Sequence, residues 1–176
     1  MHGANSTGSG APVHFNFASD VFDRWARERP DGLALWCVDA RTGAEQRFTF
    51  LELQRLSCQA ANFLRRSGVR RGDRVLLMLP RISSWWIAML GLIRAGAVPV
   101  PATLLLTARD VRYRLETAQV NAVITNPDGV GKVDGFDGLR LGVGFGGQDL
   151  SEGVSCRVAY AALPGAPDWR RLLVDR

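Results

Sequence analysis

Lysine and histidine are almost absent from this sequence of 176 residues. Of its 22 basic residues only Lys132 is a lysine, and the two histidines are His2 and His14. A phosphate-binding loop of the Walker type needs Gly-Lys followed by Ser or Thr, but Lys132 is followed by Val133. Catalysis by a Ser–His or Cys–His pair needs a placed imidazole, and both histidines lie in or next to the N-terminal tail. The sequence therefore argues against both kinds of site, and we assign no catalytic residue.

Cysteine is scarce as well. The three cysteines, Cys37, Cys58 and Cys156, are scattered along the chain and odd in number. They lack the spacing of a metal site, so the sequence predicts free thiols in a reducing compartment, which we take to be the cytoplasm. We assign no metal ligands.

Clustered basic charge and uninterrupted apolar runs are also missing. The formal net charge of +5 is spread along the chain, whereas nucleic-acid binding usually requires a basic patch, so we predict no nucleic-acid partner. The apolar stretch 85–106 is interrupted by Arg94, Gly96, Pro99 and Pro101, which argues against a membrane span. Residues 1–14 lack the charged and apolar regions of a targeting signal and are interpreted as a disordered tail.

The most informative stretch is 71–101, RGDRVLLMLPRISSWWIAMLGLIRAGAVPVP. An apolar run over 75–79 predicts a strand that is buried on both faces. A helix over 85–95 follows, with Ser83 or Ser84 as its cap and Gly96 as its left-handed stop. A short strand over 97–100 completes a βαβ unit, whose strands should lie parallel in a right-handed crossover.

The helix over 85–95 is apolar on nearly all sides. Such a helix must be covered on more than one side, so we predict that Trp85 and Trp86 belong to the core. Lining of an acyl pocket by these two rings is the alternative. If one side of the helix lacks its cover, the isolated chain should expose an apolar patch.

The flanking segments predict three more helices, a hairpin and a further strand. A helix after Asn16 should bury Phe17, Val21 and Trp25, with Asp20 and Asp23 placed favourably near the helix N-terminus. The other elements are a hairpin of 33–38 and 46–50, a helix capped by Thr49 and Glu52, a helix capped by Thr107 and Asp110, and a strand over 121–125. Together they predict an α/β fold with an open, mostly parallel sheet and helices on both faces.

Several of these segments resemble the N-terminal part of the adenylate-forming acyl-CoA synthetases. The segments are FNFASDVFDRWA at 15–26, RGDRV, LPR, the tryptophan pair and IRAGAVPVP. The tryptophan pair after LPR and the segment at 15–26 look most like the medium-chain group. The resemblance runs over 15–125 and marks this range as the N-terminal subdomain of a larger enzyme fold. Residues 126–176 are then a glycine-rich, partly ordered remainder that ends before the ATP-binding loop.

The resemblance implies activation of a medium-chain fatty or related acid by ATP to an acyl-adenylate, followed by transfer to coenzyme A. The full-length family uses ATP, magnesium and coenzyme A. Its Gly-rich loop ending in Pro-Lys, its acidic ribose contact, its hinge and its C-terminal catalytic lysine have no counterpart in these 176 residues. The resemblance therefore implies a truncated or split product that binds no cofactor and is inactive without the remainder of the synthetase, in cis or in trans.

One segment resembles a region of coenzyme A contacts, namely 101–107, PATLLLT. The resemblance places Thr103 and Leu105 on the coenzyme A side. Medium-chain members tend to have glutamine where this chain has Leu105, and leucine cannot hydrogen-bond to an amide or a phosphate group.

Two other functions stay open at the level of sequence. Gly142, Gly144 and Gly147 fit the G-x-G-x-x-G pattern of a dinucleotide-binding loop, so a stand-alone nucleotide-binding module that uses 142–147 is one alternative. A non-catalytic partner subunit of a split synthetase is the other.

Overall fold

The structure is a computed structural model that describes residues 14–40, 42–136, 138–139, 141–144 and 157–159, the last two ranges by their backbone. The predicted tail up to Val13, Gly147 and the segment after 159 lie outside the described residues. Within the described part of the chain, no helix is long and apolar enough to cross a membrane. No disulfide involves Cys37 or Cys58.

The N-terminal helix begins after Asn16, as predicted, because the Asn16 side chain accepts hydrogen bonds from the N–H groups of Ala18 and Ser19. A π-helical turn, Phe17–Phe22, leads directly into α1, Asp23–Glu28. The predicted buried face is wrong, since Phe17 and Trp25 are exposed. The neighbouring row of Ala18, Phe22 and Ala26 is buried instead, because its small alanines allow a closer approach of the segment to the rest of the fold.

The predicted hairpin is confirmed as β1, Leu33–Val38, and β2, Glu45–Thr49, which pair antiparallel in a separate two-stranded sheet. Helix α2, Phe50–Arg66, follows with the predicted capping box. The Thr49 N–H donates to Glu52 Oε2 at 2.8 Å, and the Glu52 N–H donates to Thr49 Oγ1 at 3.2 Å. The helix ends before Gly68, which has φ +95°.

The central βαβ unit is confirmed, with β3, Arg74–Met78, and β4, Val98–Pro101, parallel to each other. Helix α3, Ser83–Ala95, connects them and ends at Gly96 with φ +79°. The predicted serine cap is wrong, since Ile82 is the N-cap residue and makes no side-chain capping bond. Ser83 and Ser84 lie inside the first turn and are buried, because α3 starts two residues earlier than its apolar pattern indicates.

The remaining elements alternate between helix and strand. They are α4, Ala108–Thr117; β5, Ala122–Thr125; α5, Pro127–Val133; β6, Leu141–Gly144; and β7, Arg157–Ala159. The strand order in the main sheet is β4-β3-β5-β6-β7. The first four strands are parallel and β7 is antiparallel to β6, so the predicted mostly parallel sheet is confirmed.

Helices cover both faces of this sheet, also as predicted. On one face Val75 and Leu77 of β3 pack with Ala88 and Leu92 of α3 and with Leu64 of α2. On the other face the core consists of Leu76, Met78, Val111, Leu115, Val120, Val123 and Leu139, with Val133 packed against it. Successive side chains of a strand point to opposite faces, so the continuous apolar run of β3 supplies both layers.

The placement of the two tryptophans differs from the prediction. The Trp86 side chain is 44% exposed and Trp85 is half-buried, so Trp86 is not a core residue. Helix α3 is covered by the sheet and by α2, and at its C-terminal end by the N-terminal segment, whose Asn16 side chain donates to the Ile93 carbonyl at 2.7 Å. A wide apolar surface with no polar face does not indicate which side chains are covered.

Candidate functional site at the carboxyl edge of the sheet

The topology places the loops that can hold a ligand at the carboxyl ends of the parallel strands. Strand β3 connects to α3 on one face of the sheet, whereas β4 and β5 connect to α4 and α5 on the other face. Open α/β sheets bind ligands at this edge, between neighbouring strands that connect to opposite faces. Strand β3 therefore borders two such positions, one towards β4 and one towards β5.

The position between β3 and β5 is closed by the protein itself. The Thr125 hydroxyl is buried and donates to the Met78 carbonyl at 2.8 Å. Gly129 of α5 packs so closely on this pair that an added Cβ would lie 1.9 Å from Thr125 Oγ1. The position between β3 and β4 remains, bordered by the loops 79–82 and 102–107.

The turn 103–106 carries both residues that the sequence placed on the coenzyme A side. Thr103 Oγ1 accepts from the Leu105 N–H at 3.2 Å, and the Thr103 carbonyl accepts from the Leu106 N–H at 3.4 Å. The Leu105 side chain is 91% exposed. The structure thus places Thr103 and Leu105 in one turn, in which the threonine orders the backbone and the leucine side chain is exposed.

Lys132 holds this turn from the neighbouring helix, a role that the sequence did not indicate. Its ammonium group at the end of α5 donates to the Leu104 carbonyl. A bond from a charged donor is stronger than a neutral one, so the single lysine of the chain fixes the turn to α5. The separation of 28 residues between the two groups explains why no local pattern indicated the contact.

Removal of the Lys132 ammonium group should loosen the turn. We expect Lys132→Met to raise the hydrogen-exchange rate of the Leu105 and Leu106 amides about tenfold, because a hydrogen bond to a charged group contributes about 1.5 kcal/mol. Exchange measured by mass spectrometry on a peptide spanning 102–107 tests this. Lys132→Arg keeps a charged donor and is the control. Equal exchange in Lys132→Met and in the parent chain would contradict the role.

Thr107 and Asp110 close the turn on the side of α4 and form the predicted capping box. Thr107 Oγ1 donates to Asp110 Oδ2 at 2.7 Å, and the Thr107 N–H donates to the same oxygen at 3.1 Å. These two hydrogen bonds, the first above all, hold the pKa of Asp110 below its usual value. A carboxylate used in this way starts a helix and is a poor general base.

Two of the three glycines in the pattern at 142–147 lie in a strand. Gly142 and Gly144 lie within β6, paired on one side with β5 and on the other with β7. In a dinucleotide site the glycines follow the strand and open a helix. Gly147 lies outside the described residues.

A second contact that the sequence did not predict lies at the C-terminal end of α3, away from the carboxyl edge of the sheet. Asp23 accepts two hydrogen bonds from Arg94, at 2.7 and 2.8 Å, and Arg94 also donates to Ser57 Oγ at 3.3 Å. The hydrogen bonds from Arg94 hold the pKa of Asp23 below its usual value. The helix dipole account of Asp23 was therefore incomplete. One signal was available, because Arg94 is the only charge on an apolar helix, and a buried charge requires a partner.

Among the described residues, no group of three or more His, Cys, Asp or Glu residues is placed to hold a metal ion. The side chains at the carboxyl edge offer an exposed leucine, hydroxyl groups and backbone carbonyls. These groups can contact part of a substrate, and they provide neither a nucleophile–base pair nor a phosphate-binding loop.

Comparison with known proteins identifies the family. A family model described as "AMP-binding enzyme" matches residues 22–152. The chain belongs to this family. It is similar to the mitochondrial acyl-coenzyme A synthetase ACSM3 of Homo sapiens, with 43% identity over 123 residues, which are 66% of this chain and 21% of the relative. It is also similar to mitochondrial ACSM2B of Homo sapiens, with 42% identity over 129 residues, which are 70% of this chain and 22% of the relative.

Solved structures show the same fold. A Brucella canis acyl-CoA synthetase superposes with a TM-score of 0.71 at 23% identity and covers 93% of this chain and 28% of its own. The inhibitor-bound N-terminal domain of FACL13 from Mycobacterium tuberculosis superposes with a TM-score of 0.60 at 26% identity. The superposition covers 69% of this chain and 29% of the FACL13 chain. The chain thus spans about a fifth of the length of the curated relatives it matches, in their N-terminal part.

Proposed function

We propose that this chain supplies the N-terminal part of an ATP-dependent acyl-CoA synthetase that acts on a medium-chain fatty or related carboxylic acid. The observation that carries the proposal is the identity of 43% over 123 residues to a human protein named as an acyl-coenzyme A synthetase. In the complete enzyme ATP, magnesium and coenzyme A would be the reactants and cofactors. The 176 residues alone would bind none of them and would not complete the reaction, because the nucleotide-binding loop expected for the family is absent from the sequence.

The turn 103–106 would be the contribution of this chain to coenzyme A binding. Its position between β3 and β4 at the carboxyl edge supports this role, as does its attachment to α5 through Lys132. The exposed Leu105 side chain has no hydrogen-bonding group, so its contact would be apolar. The backbone carbonyls of the turn would provide the polar contacts.

A chimera tests the proposal directly. The 123 matched residues of human ACSM3 are replaced by the aligned segment of this chain, and formation of acyl-CoA from a medium-chain acid, ATP and coenzyme A is measured. We expect activity in the chimera, because the segment supplies the same fold at 43% identity. ACSM3 that lacks the segment is the control and should be inactive. A chimera that is folded and binds ATP yet forms no acyl-CoA would contradict the proposal.

The role of a non-catalytic partner subunit in a split synthetase is the second candidate. The test adds this chain in trans to ACSM3 that lacks the segment. Restored formation of acyl-CoA would favour this candidate.

The cytoplasmic location predicted from the cysteines stays a prediction, and the curated relatives are described as mitochondrial.

A further inference from the structure

Five exposed arginines lie at the amino edge of the main sheet, the edge opposite the candidate site. We call them the arginine patch, which consists of Arg65, Arg66, Arg70, Arg71 and Arg74. Two of them end α2, one begins β3, and two lie in the loop between these elements. From residue 53 to residue 109 the sequence has nine arginines and a single acidic residue, Asp73. The spread of the net charge over the whole chain concealed this local cluster.

Among the described residues, no ion pair neutralises the arginine patch. Asp73 is buried, and its carboxylate accepts hydrogen bonds from the Arg70 N–H at 2.7 Å and from the Asn121 side chain at 3.2 Å. The ion pairs between described residues involve other arginines, at positions 24, 47 and 94. The patch therefore presents several positive charges to an anionic partner.

The contacts of the arginine patch join the C-terminal ends of three helices. Arg65 at the end of α2 donates to the Arg94 carbonyl at the end of α3, at 2.9 Å. Arg74 donates to Gln119 Oε1, just after α4, at 2.9 Å. The C-terminal end of a helix carries partial negative charge, which accounts for arginines in the last turn of α2. The two arginines in the following loop lie outside this helix, so the helix dipole does not account for them.

The loop that carries the arginine patch is open and shallow. Gly68 and Gly72 have φ +95° and +84°, and an added Cβ at either position would meet no other described part of the chain within 4 Å. All five arginines are exposed. A small ligand is normally held in a concave site, whereas exposed charges on an open loop fit a broad anionic surface.

Exposed apolar side chains lie beside the arginine patch. Val98, which is 48% exposed, is the sheet partner of Arg74. Phe15 and Phe17 are 62% and 46% exposed, and they flank Asn16, which is bonded to the C-terminal end of α3. Binding to a bilayer surface grows with the buried apolar area and with the attraction to anionic lipids. This edge of the molecule offers both.

We propose that the arginine patch, together with Phe15, Phe17 and Val98, binds the surface of an anionic phospholipid bilayer. The guanidinium groups contact lipid phosphates, with which arginine forms paired hydrogen bonds, and the apolar side chains enter the interface. The choice of a bilayer over another polyanion rests on the proposed function, because the alkyl chain of a medium-chain acid favours an apolar phase. The turn 103–106 stays accessible, since it lies at the other end of the strands.

Co-sedimentation of the full chain with lipid vesicles tests the proposal. We expect binding to vesicles of equal parts phosphatidylglycerol and phosphatidylcholine, and much weaker binding to vesicles of phosphatidylcholine alone. The double variant Arg70→Gln/Arg71→Gln should lower the partition coefficient about thirtyfold, because each basic residue near an anionic surface strengthens binding about fivefold. Circular dichroism checks that the variant keeps its fold.

The double variant Arg55→Gln/Arg112→Gln is the matched control, since it removes the same charge from exposed positions in the first halves of α2 and α4. Its partition coefficient should change less than about threefold, because charges more than about 10 Å from the bilayer are screened at 0.1 M salt. Equal losses in the two double variants would overturn the proposal, as they would show a dependence on net charge alone. Equal binding of the parent chain to both kinds of vesicle would also overturn it.

Phe15→Ser tests the apolar part of the surface. The partition coefficient should fall at least about threefold, because the ring no longer leaves water for the interface. Tyr113→Ser on α4, at a site 65% exposed, is the control and should have no effect. An unchanged partition coefficient in Phe15→Ser would overturn the placement of this side chain in the interface.

Two other results would assign the arginine patch to a different anion and overturn the proposal. They are binding to a short DNA duplex, or to polyglutamate, that exceeds binding to the vesicles and is lost in Arg70→Gln/Arg71→Gln. An active ACSM3 chimera beside a chain that ignores anionic vesicles would overturn this inference and leave the proposed function intact. Vesicle binding beside an inactive chimera would support this inference and count against the proposed function.

Discussion

Leu77→Ala should lower the free energy of unfolding by about 2–5 kcal/mol, the range for deletion of a fully buried leucine. Leu77 is 0% exposed in the central strand β3 and belongs to the core cluster formed with residues of α2 and α3. The cost combines the lost transfer free energy of the side chain with that of the cavity left behind. Since the total free energy of unfolding of a domain of this size is about 5–15 kcal/mol, the variant should be marginally folded. Urea unfolding followed by circular dichroism measures the difference.

Leu105→Ala is the matched control, with the same change of side chain at a site that is 91% exposed. Its effect should stay within about 0.5 kcal/mol, as for surface substitutions away from special features. Equal losses in the two variants would contradict the assignment of β3 to the centre of the core.

Asp23→Asn should lower the free energy of unfolding by about 3 kcal/mol at pH 7, because it leaves Arg94 buried without its counter-charge. The side chains of Asp23 and Arg94 are 17% and 12% exposed, and the pair connects α1 to the C-terminal end of α3. Glu45→Gln is the control, since it breaks the exposed Arg47–Glu45 pair, and exposed pairs contribute less than about 1 kcal/mol. Urea unfolding of both variants and the parent chain gives the comparison.

The effect of Asp23→Asn should depend on pH in a defined direction. Arg94 lowers the pKa of Asp23 in the folded state, so the pair stabilises the fold fully above the unfolded-state pKa of about 4. This contribution is lost as the pH falls through the lower folded-state pKa. The gap between parent and variant should therefore be widest at neutral pH and shrink below about pH 4. A gap that widens towards low pH would contradict the ion pair.

The prediction of the central unit succeeded because its signals are local. The apolar run of β3, the Gly96 stop and the spacing to β4 lie within one short stretch, and the right-handed crossover leaves one arrangement for the pair of strands. The capping boxes at Thr49 and Thr107 were predicted for the same reason, since each involves groups three residues apart.

The prediction of the candidate site was weaker. Thr103 and Leu105 do lie in one turn at the carboxyl edge, although their contact with coenzyme A stays a prediction. Gly142 and Gly144 matched the G-x-G-x-x-G sequence motif, but both lie in a strand that pairs with two neighbouring strands, and neither lies in a loop. A sequence motif does not specify the hydrogen-bond partners of the backbone, and these partners decide whether a segment is a strand or a loop.

The sequence by itself determined the family, the order of helices and strands up to β5, most helix caps and the parallel sheet. All of these depend on neighbouring residues or on general rules of chain connection. The tertiary structure decided which side of each element is covered, and therefore that Ala18 is buried in place of Phe17 and that Trp86 faces outward. It also decided the contacts of Asp23 with Arg94 and of Lys132 with Leu104, which are 71 and 28 residues apart. A charged group finds such a partner only after packing brings distant segments together, because burial makes an unpaired charge costly and folding alone sets which charge is near.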